Sequence, residues 1–263
     1  MNLEVLSRLP SGAAHPVPLL FVHGAWHGAW CWDEHFLPYF AERGFAAYAL
    51  SLRNHGASAP SGSLRFSRMR GYVEDVARVA AQLPSPPVII GHSMGGFIAQ
   101  HFLARHDAPA SVLVAPAPPT GVVPTTLKLA RRHPLAFLKA NALWSLYPFI
   151  ATPALAKEAF FSADMDDALA DAYWRRLQDE SFMAFLDMLA LDLPKPQASK
   201  SPMLVVGGGR DSIFSPAQVE ATARAYGAKA EIFPDVAHDM MLEAGWRDVA
   251  TRIADWLTAV LPN

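Results

Sequence analysis

The chain is poor in cysteine, in charge and in long apolar runs. Cys31 is the single cysteine among 263 residues, so no internal disulfide can form and nothing calls for an oxidising compartment. Charged residues make up 17%, below the roughly one quarter typical of soluble domains. Lys and Arg number 22 against 24 Asp and Glu, a net charge of −2. That balance lacks the basic surplus a nucleic-acid binder needs, so no nucleic-acid partner is expected. No stretch approaches the roughly 18 uninterrupted apolar residues of a membrane span. The best runs, Leu19–Val22 and Val88–Ile90, stop at His23 and Gly91, and no integral membrane segment is expected. The first ten residues include Glu4 and Arg8 and show no apolar signal-peptide core, so the expected location is cytoplasmic. Against these shortages stands a hydrophobic content of 52%, which excludes disorder, collagen and coiled coil and provides a large core.

Short apolar runs alternate with longer amphipathic ones, the pattern of a parallel sheet with crossover helices. The expected strands are Leu19–Val22, Ala46–Leu50, Val88–Ile90, Ser111–Ala115, Met203–Val206 and Ala230–Phe233. Most are apolar nearly throughout, as strands covered on both faces must be. Leu3–Leu9 alternates instead and reads as an antiparallel edge. Met69, Val73, Val76, Ala80 and Leu83 recur at helical spacing before Pro84, and Trp246, Val249, Ile253, Trp256 and Val260 do so in the last helix. Ser215-Pro216-Ala217-Gln218 is a capping box with proline at the first helical position. The alternation fails over residues 117–196, where prolines cut about 80 residues into short helices with no strand signal. The expected organisation is a catalytic body of residues 1–116 and 197–263, interrupted by a helical cap of residues 117–196.

Val88-Ile89-Ile90-Gly91-His92-Ser93-Met94-Gly95-Gly96 sets a strand before Gly-x-Ser-x-Gly and a helix after it. This is the context of a nucleophile elbow, in which a tight turn holds the serine hydroxyl clear of the sheet. The hydroxyl of Ser93 needs a base to take its proton, and the base needs a carboxylate to fix its tautomer. On such an elbow the acid and then the histidine follow the serine in the chain. Gly209-Arg210-Asp211 lies just past one strand, and Pro234-Asp235-Val236-Ala237-His238 just past the next. Both therefore fall at the carboxyl ends of strands, where active sites of such sheets collect.

Ten histidines compete for the role of base. His15, His35, His106 and His133 sit in polar or helical contexts, while His23 and His55 precede Ser93 and are in the wrong order. His92 belongs to the elbow and His101 to the helix behind it. His23 and His27 are four residues apart but lack a third ligand, so no metal is expected. His238 remains as the base, with Asp211 as its acid and Asp235 and Asp239 as fallbacks. Acyl transfer also requires donors for the developing oxyanion. The N–H of Met94 follows from the elbow, and the N–H of Ala25, in the loop after the first central strand, is the second. Trp26, Trp144, Phe160 and Met240 are the expected substrate-lining residues.

With Phe21-Val22-His23-Gly24, Ser51-Leu52-Arg53-Asn54-His55-Gly56, the elbow, Gly209-Arg210-Asp211 and Ala237-His238 in place, the chain resembles the α/β-hydrolase fold over nearly its whole length. The run His23–Trp32 is similar to the branch of plant methyl-ester esterases and hydroxynitrile lyases and their bacterial relatives. That resemblance implies an α/β fold with a mostly parallel sheet, a helical cap and no cofactor, and it supports Ala25 as an oxyanion donor. Hydroxynitrile lyases of the branch carry lysine after the catalytic histidine, and Asp239 stands here instead, which counts against cyanide chemistry. Dehalogenase and epoxide-hydrolase relatives carry aspartate at the elbow, and Ser93 excludes those activities. Asn54 replaces a glycine common in this loop, from which a different loop shape is expected.

The expected activity is hydrolysis of small-to-medium apolar carboxylic esters through an acyl-enzyme, with a small-molecule ester as the partner. Lactonase, thioesterase, acyltransferase and cofactor-free perhydrolase chemistry use the same residues, and a ligand receptor built on the fold is the alternative of another class. Charge along the cap is divided. Residues 117–157 hold five cations and no carboxylate, whereas residues 158–192 hold nine carboxylates and only Arg175 and Arg176.

Overall fold

The computed structural model describes residues 2–197 and 200–261. Seven strands form one sheet: β1 (Val5–Arg8), β2 (Leu19–Val22), β3 (Ala47–Leu50), β4 (Val88–His92), β5 (Ser111–Val114), β6 (Met203–Gly208) and β7 (Ala230–Phe233). Their spatial order is β1-β3-β2-β4-β5-β6-β7, with β1 antiparallel at the edge and every other pair parallel. The alternating Leu3–Leu9 run thus supplies the edge expected of it. β4 runs two residues beyond the expected Ile90 because Gly91 and His92 still pair with Leu113 and Val114 of β5.

Side chains one residue apart on a strand face opposite sides of a sheet, and β2 shows it. Leu19 and Phe21 join one core, with Trp32, Phe36 and Phe40 of α1 (Trp30–Asp33) and α2 (Phe36–Glu42). Leu20 and Val22 join the other, with Val76 of α3 (Met69–Ala80) and Phe97 of α4 (Met94–Leu103). All four β2 side chains have no exposed surface. Full burial of such a side chain is worth about 1.5–3 kcal/mol, which is why the central strands are apolar on both faces. The chain reverses direction across the sheet between β3 and β4, so the gap between the ends of β2 and β4 is the switch point where such sheets bind ligands.

Between β5 and β6 the described residues hold only helices: α5 (Val123–Arg132), α6 (Pro134–Leu143), α7 (Pro153–Phe160), α8 (Asp167–Trp174) and α9 (Phe182–Leu186), the last running into a π-helical turn at Asp187–Leu191. After β6 come α10 (Pro216–Ala225) and α11 (Trp246–Val260). At the start of α10 the Gln218 carboxamide accepts the Ser215 N–H at 3.0 Å, as the capping box requires.

The insertion is tied to the body by buried charge. Glu180 accepts from His55 Nε2 at 3.0 Å, from the Tyr72 hydroxyl at 2.9 Å and from the Ser181 N–H at 2.6 Å. Arg68 grips Asp187 with both nitrogens, one at 2.8 Å, and Ser162 donates to Glu243 at 2.7 Å. His55 faces acceptors on both sides, Glu180 and the Arg53 carbonyl. Burial disfavours its charge, yet Glu180 outweighs burial and raises its pKa. Burial alone would raise Glu180, but His55 holds it below the ordinary carboxylate value. The stability this pair supplies is therefore complete between the ordinary values of 4.5 and 6.5 and is lost as pH leaves that range in either direction. Glu180→Ala is expected to cost roughly 3–5 kcal/mol by stranding a buried imidazolium, a fall of about 10 °C in Tm. Thermal unfolding against pH should show the gap from wild type widest between pH 4.5 and 6.5 and narrower at pH 8.

Candidate active site

The elbow forms because two glycines allow close approach. A Cβ on Gly91 would lie 2.3 Å from the Gly95 carbonyl oxygen, and one on Gly95 would lie 2.2 Å from the Val22 carbonyl oxygen. Between them Ser93 sits at φ 53° and ψ −116°, a strained conformation for a residue with a side chain. Its N–H donates to Val114 at 3.0 Å and its carbonyl accepts from Phe97 and Ala117, so β5, the segment that follows it and α4 hold the strain in place.

His238, in the loop after β7, meets Asp211, in the loop after β6, with Nδ1 2.8 Å from Oδ2. The other carboxylate oxygen accepts from the Ile213 and Phe214 N–H groups at 2.7 and 2.9 Å, which fixes its orientation. Burial disfavours protonation of His238, but the charge and hydrogen bond of Asp211, with Asp239 adding to them, raise its pKa. Asp235, one of the fallback acids, pairs instead with Arg210 on the exposed side.

The other fallback, Asp239, holds the surrounding loops together. Its Oδ2 lies 2.9 Å from His27 Nε2, and neither side chain has more than 1% of its surface exposed. His27 Nδ1 faces the Ala25 carbonyl at 2.8 Å, so both ring nitrogens point at acceptors. Burial would raise the Asp239 pKa, but His27, His92 and His238 hold it below the ordinary value. Its N–H donates to the Phe160 carbonyl of the insertion at 3.0 Å. His92 Nε2 donates to the His238 carbonyl at 3.0 Å, and burial followed by repulsion from His238 lowers the His92 pKa to about 3. His92 is thus a neutral donor that braces the backbone of His238.

His27, His92 and Asp239 escape a motif reading because their partners are far away in sequence, 212 residues for the His27–Asp239 pair. The available signal is their position among apolar neighbours, where an ionisable group needs a partner. His23 also proves fully buried, its Nδ1 on the Gly24 carbonyl and its Nε2 accepting from Leu52 N–H. Those bonds define a neutral ring, in accord with a pKa lowered first by burial and then by His55. Asn54 adopts φ 65°, the left-handed conformation that glycine would take, and its side chain accepts from Ser61 N–H at 2.8 Å.

Ligand atoms of His92, His238 and Asp239 fall within 4.8 Å of one another. His238 Nδ1 already serves Asp211 and His92 Nε2 serves a carbonyl, so a cation would have to displace both bonds. Met94 is the first residue of α4, where N–H groups have no partner inside the helix. Ala25 lies 7% exposed at the end of β2, across the switch point from Ser93. Trp26 packs on Phe160 at 5.6 Å, and Phe160 stacks near His238 at 6.3 Å. Met240 is fully buried in the core, and its N–H closes a turn on the His238 carbonyl. Trp144 ends α6 at φ 51°, packs on Phe182 and near Phe66, and is 46% exposed. Removing one partner of the Asp239–His27 pair leaves a buried charge unpaired. His27→Ala is expected to cost roughly 3–5 kcal/mol in urea unfolding, and adding Asp239→Ala should recover part of that loss, a recovery that simple additivity does not allow.

Residues 19–252 match the profile of the alpha/beta hydrolase family. The chain is 26% identical over 218 residues to methylesterase 18 of Arabidopsis thaliana, covering 75% of this chain and 80% of the relative. It is 27% identical over 250 residues to a non-heme haloperoxidase of Rhodococcus erythropolis, covering 85% and 86%. A thermophilic esterase from Thermogutta terrifontis superposes with a TM-score of 0.75 at 18% identity, covering 99% of this chain and 95% of that one. With the elbow, the sheet order and a family match over nearly its whole length, this chain belongs to the alpha/beta hydrolase family.

Proposed function

We propose that the chain is a serine hydrolase of small-to-medium apolar carboxylic esters, working through an acyl-enzyme. The observation that carries this reading is the 2.8 Å bond between His238 Nδ1 and Asp211, joined to the strained serine elbow through His92, whose Nε2 holds the His238 carbonyl. Ser93 Oγ attacks the ester carbonyl while His238 Nε2 takes its proton, and the N–H groups of Ala25 and Met94 receive the oxyanion. His238 then protonates the leaving alcohol. Water, deprotonated by the same ring, releases the acid and restores Ser93. Residues 117–196 act as the cap, with Phe160 and Trp26 on the apolar side of the substrate. The methylesterase relative agrees with an ester substrate.

The haloperoxidase relative favours a second reading of the same site. Hydrogen peroxide in place of water would attack the acyl-enzyme and leave as a peracid, with the serine hydroxyl regenerated. Peracid formation from a carboxylic acid and peroxide, assayed beside ester hydrolysis, separates the two.

Ser93→Ala should lower turnover of a p-nitrophenyl ester by about 10⁶-fold and abolish labelling by a fluorophosphonate, with unfolding unchanged. Retained turnover in this variant would overturn the assignment, and a wild-type chain that resists the probe would favour a receptor. Because the base must be neutral to act, the raised pKa of His238 sets the acid limb of kcat/KM above the ordinary 6.5. Asp211→Asn should lower kcat by about 10⁴-fold and move that limb to lower pH, since Asp211 is what raises it.

A further inference from the structure

The outermost part of the insertion has a composition that folding alone does not account for. In α6, Pro134–Leu143, eight of ten residues are apolar and only Lys139 and Asn141 are polar. A helix that is apolar nearly all round belongs inside a protein or against lipid. Here Ala140 is its one buried residue, while Leu135 is 73%, Leu138 64% and Leu143 57% exposed. Val123 and Leu127 of α5, with Trp144 and Tyr147 beyond α6, extend the exposed set. Seven of the twelve large exposed apolar residues among the described residues thus fall within 25 residues, and Phe66 of the body adjoins them through Trp144. Exposed apolar side chains concentrated on two adjoining helices in this way mark a binding face.

Charge says what that face meets. Lys128, Arg131, Arg132 and Lys139 lie on the same two helices, and residues 117–157 contain no Asp or Glu. Arg132 is taken by Glu158, whereas Arg131 and Lys139 have no ion pair among the described residues. Cations beside exposed leucines, with a tryptophan and a tyrosine at the margin, are the chemistry of a helix lying in the headgroup layer of an anionic bilayer. Apolar side chains enter the acyl boundary there, and lysine and arginine stems reach back to phosphate. No helix of the described residues is long and apolar enough to cross a membrane, so this contact is one of surface seating.

We propose that the α5–α6 face docks the protein on an anionic lipid surface. The inference is independent of the ester-hydrolase reading, since it uses no residue of that site. The test is flotation of the full chain with vesicles of phosphatidylcholine alone and of phosphatidylcholine mixed with phosphatidylserine. Each cation near such a surface is worth about a fivefold change in partitioning, so binding should be at least about tenfold stronger on the mixed vesicles. Arg131→Glu with Lys139→Glu should remove that preference. Leu135→Ser with Leu138→Ser should abolish binding to either vesicle while leaving hydrolysis of a soluble ester unchanged. Absence of binding to the mixed vesicles overturns the proposal, as does equal binding to both kinds. A chain that sediments as a dimer and is made monomeric by the leucine substitutions also overturns it, because the face then belongs to a second copy.

Discussion

The carboxylate of Asp239 is the point on which the carboxyl edge of the sheet depends. It is fully buried, and taking a charge out of water is tolerable only beside an opposite one. His27 Nε2 faces the carboxylate at 2.9 Å, and the other nitrogen of His27 faces the Ala25 carbonyl. Through its backbone Asp239 also reaches Phe160 and begins the turn that leads into α11. One residue thereby fixes the loop after β2, the loop after β7 and the near edge of the insertion relative to each other. His92 completes the frame from the elbow side by holding the His238 carbonyl.

The reading order of the chain explains which parts were legible. Local features were plain: six strands stood out as apolar runs and the edge strand by its alternation, and the elbow declared itself by a strand, a glycine-flanked serine and a helix. The pairing of Asp211 with His238 follows from order along the chain, because both lie in loops past strands and the sheet brings strand ends together. Asp239 and His27 do not follow, nor does the His55–Glu180 pair, whose members are 125 residues apart. Such pairs obey no spacing rule, since only the completed fold makes them neighbours.

Substrate-lining residues were the hardest to read. An aromatic residue in a helical insertion can turn inward or outward, and the direction depends on how its helix ends. Trp144 is sent to the outer surface by the left-handed turn closing α6, while Phe160, at the end of α7, points toward His238. The charge asymmetry of the same segment was visible in sequence, but its two halves serve differently. In the acidic half, Glu180 and Asp187 are consumed by buried contacts with the body, the first with His55 and the second with Arg68.

The insertion leaves the sheet after β5 and returns at β6, and these strands are direct neighbours, paired in parallel from Ser111–Met203 to Val114–Val206. Its two ends are therefore held together by the ladder itself, whatever lies between them. Lengthening a segment whose ends are already fixed costs little, about 0.6 kcal/mol for each doubling. Helices can thus be added or exchanged at this one position without moving a strand, provided that those bearing Phe160, Glu180 and Asp187 keep their bonds to the body. The fold separates a part free to diverge from a part that cannot.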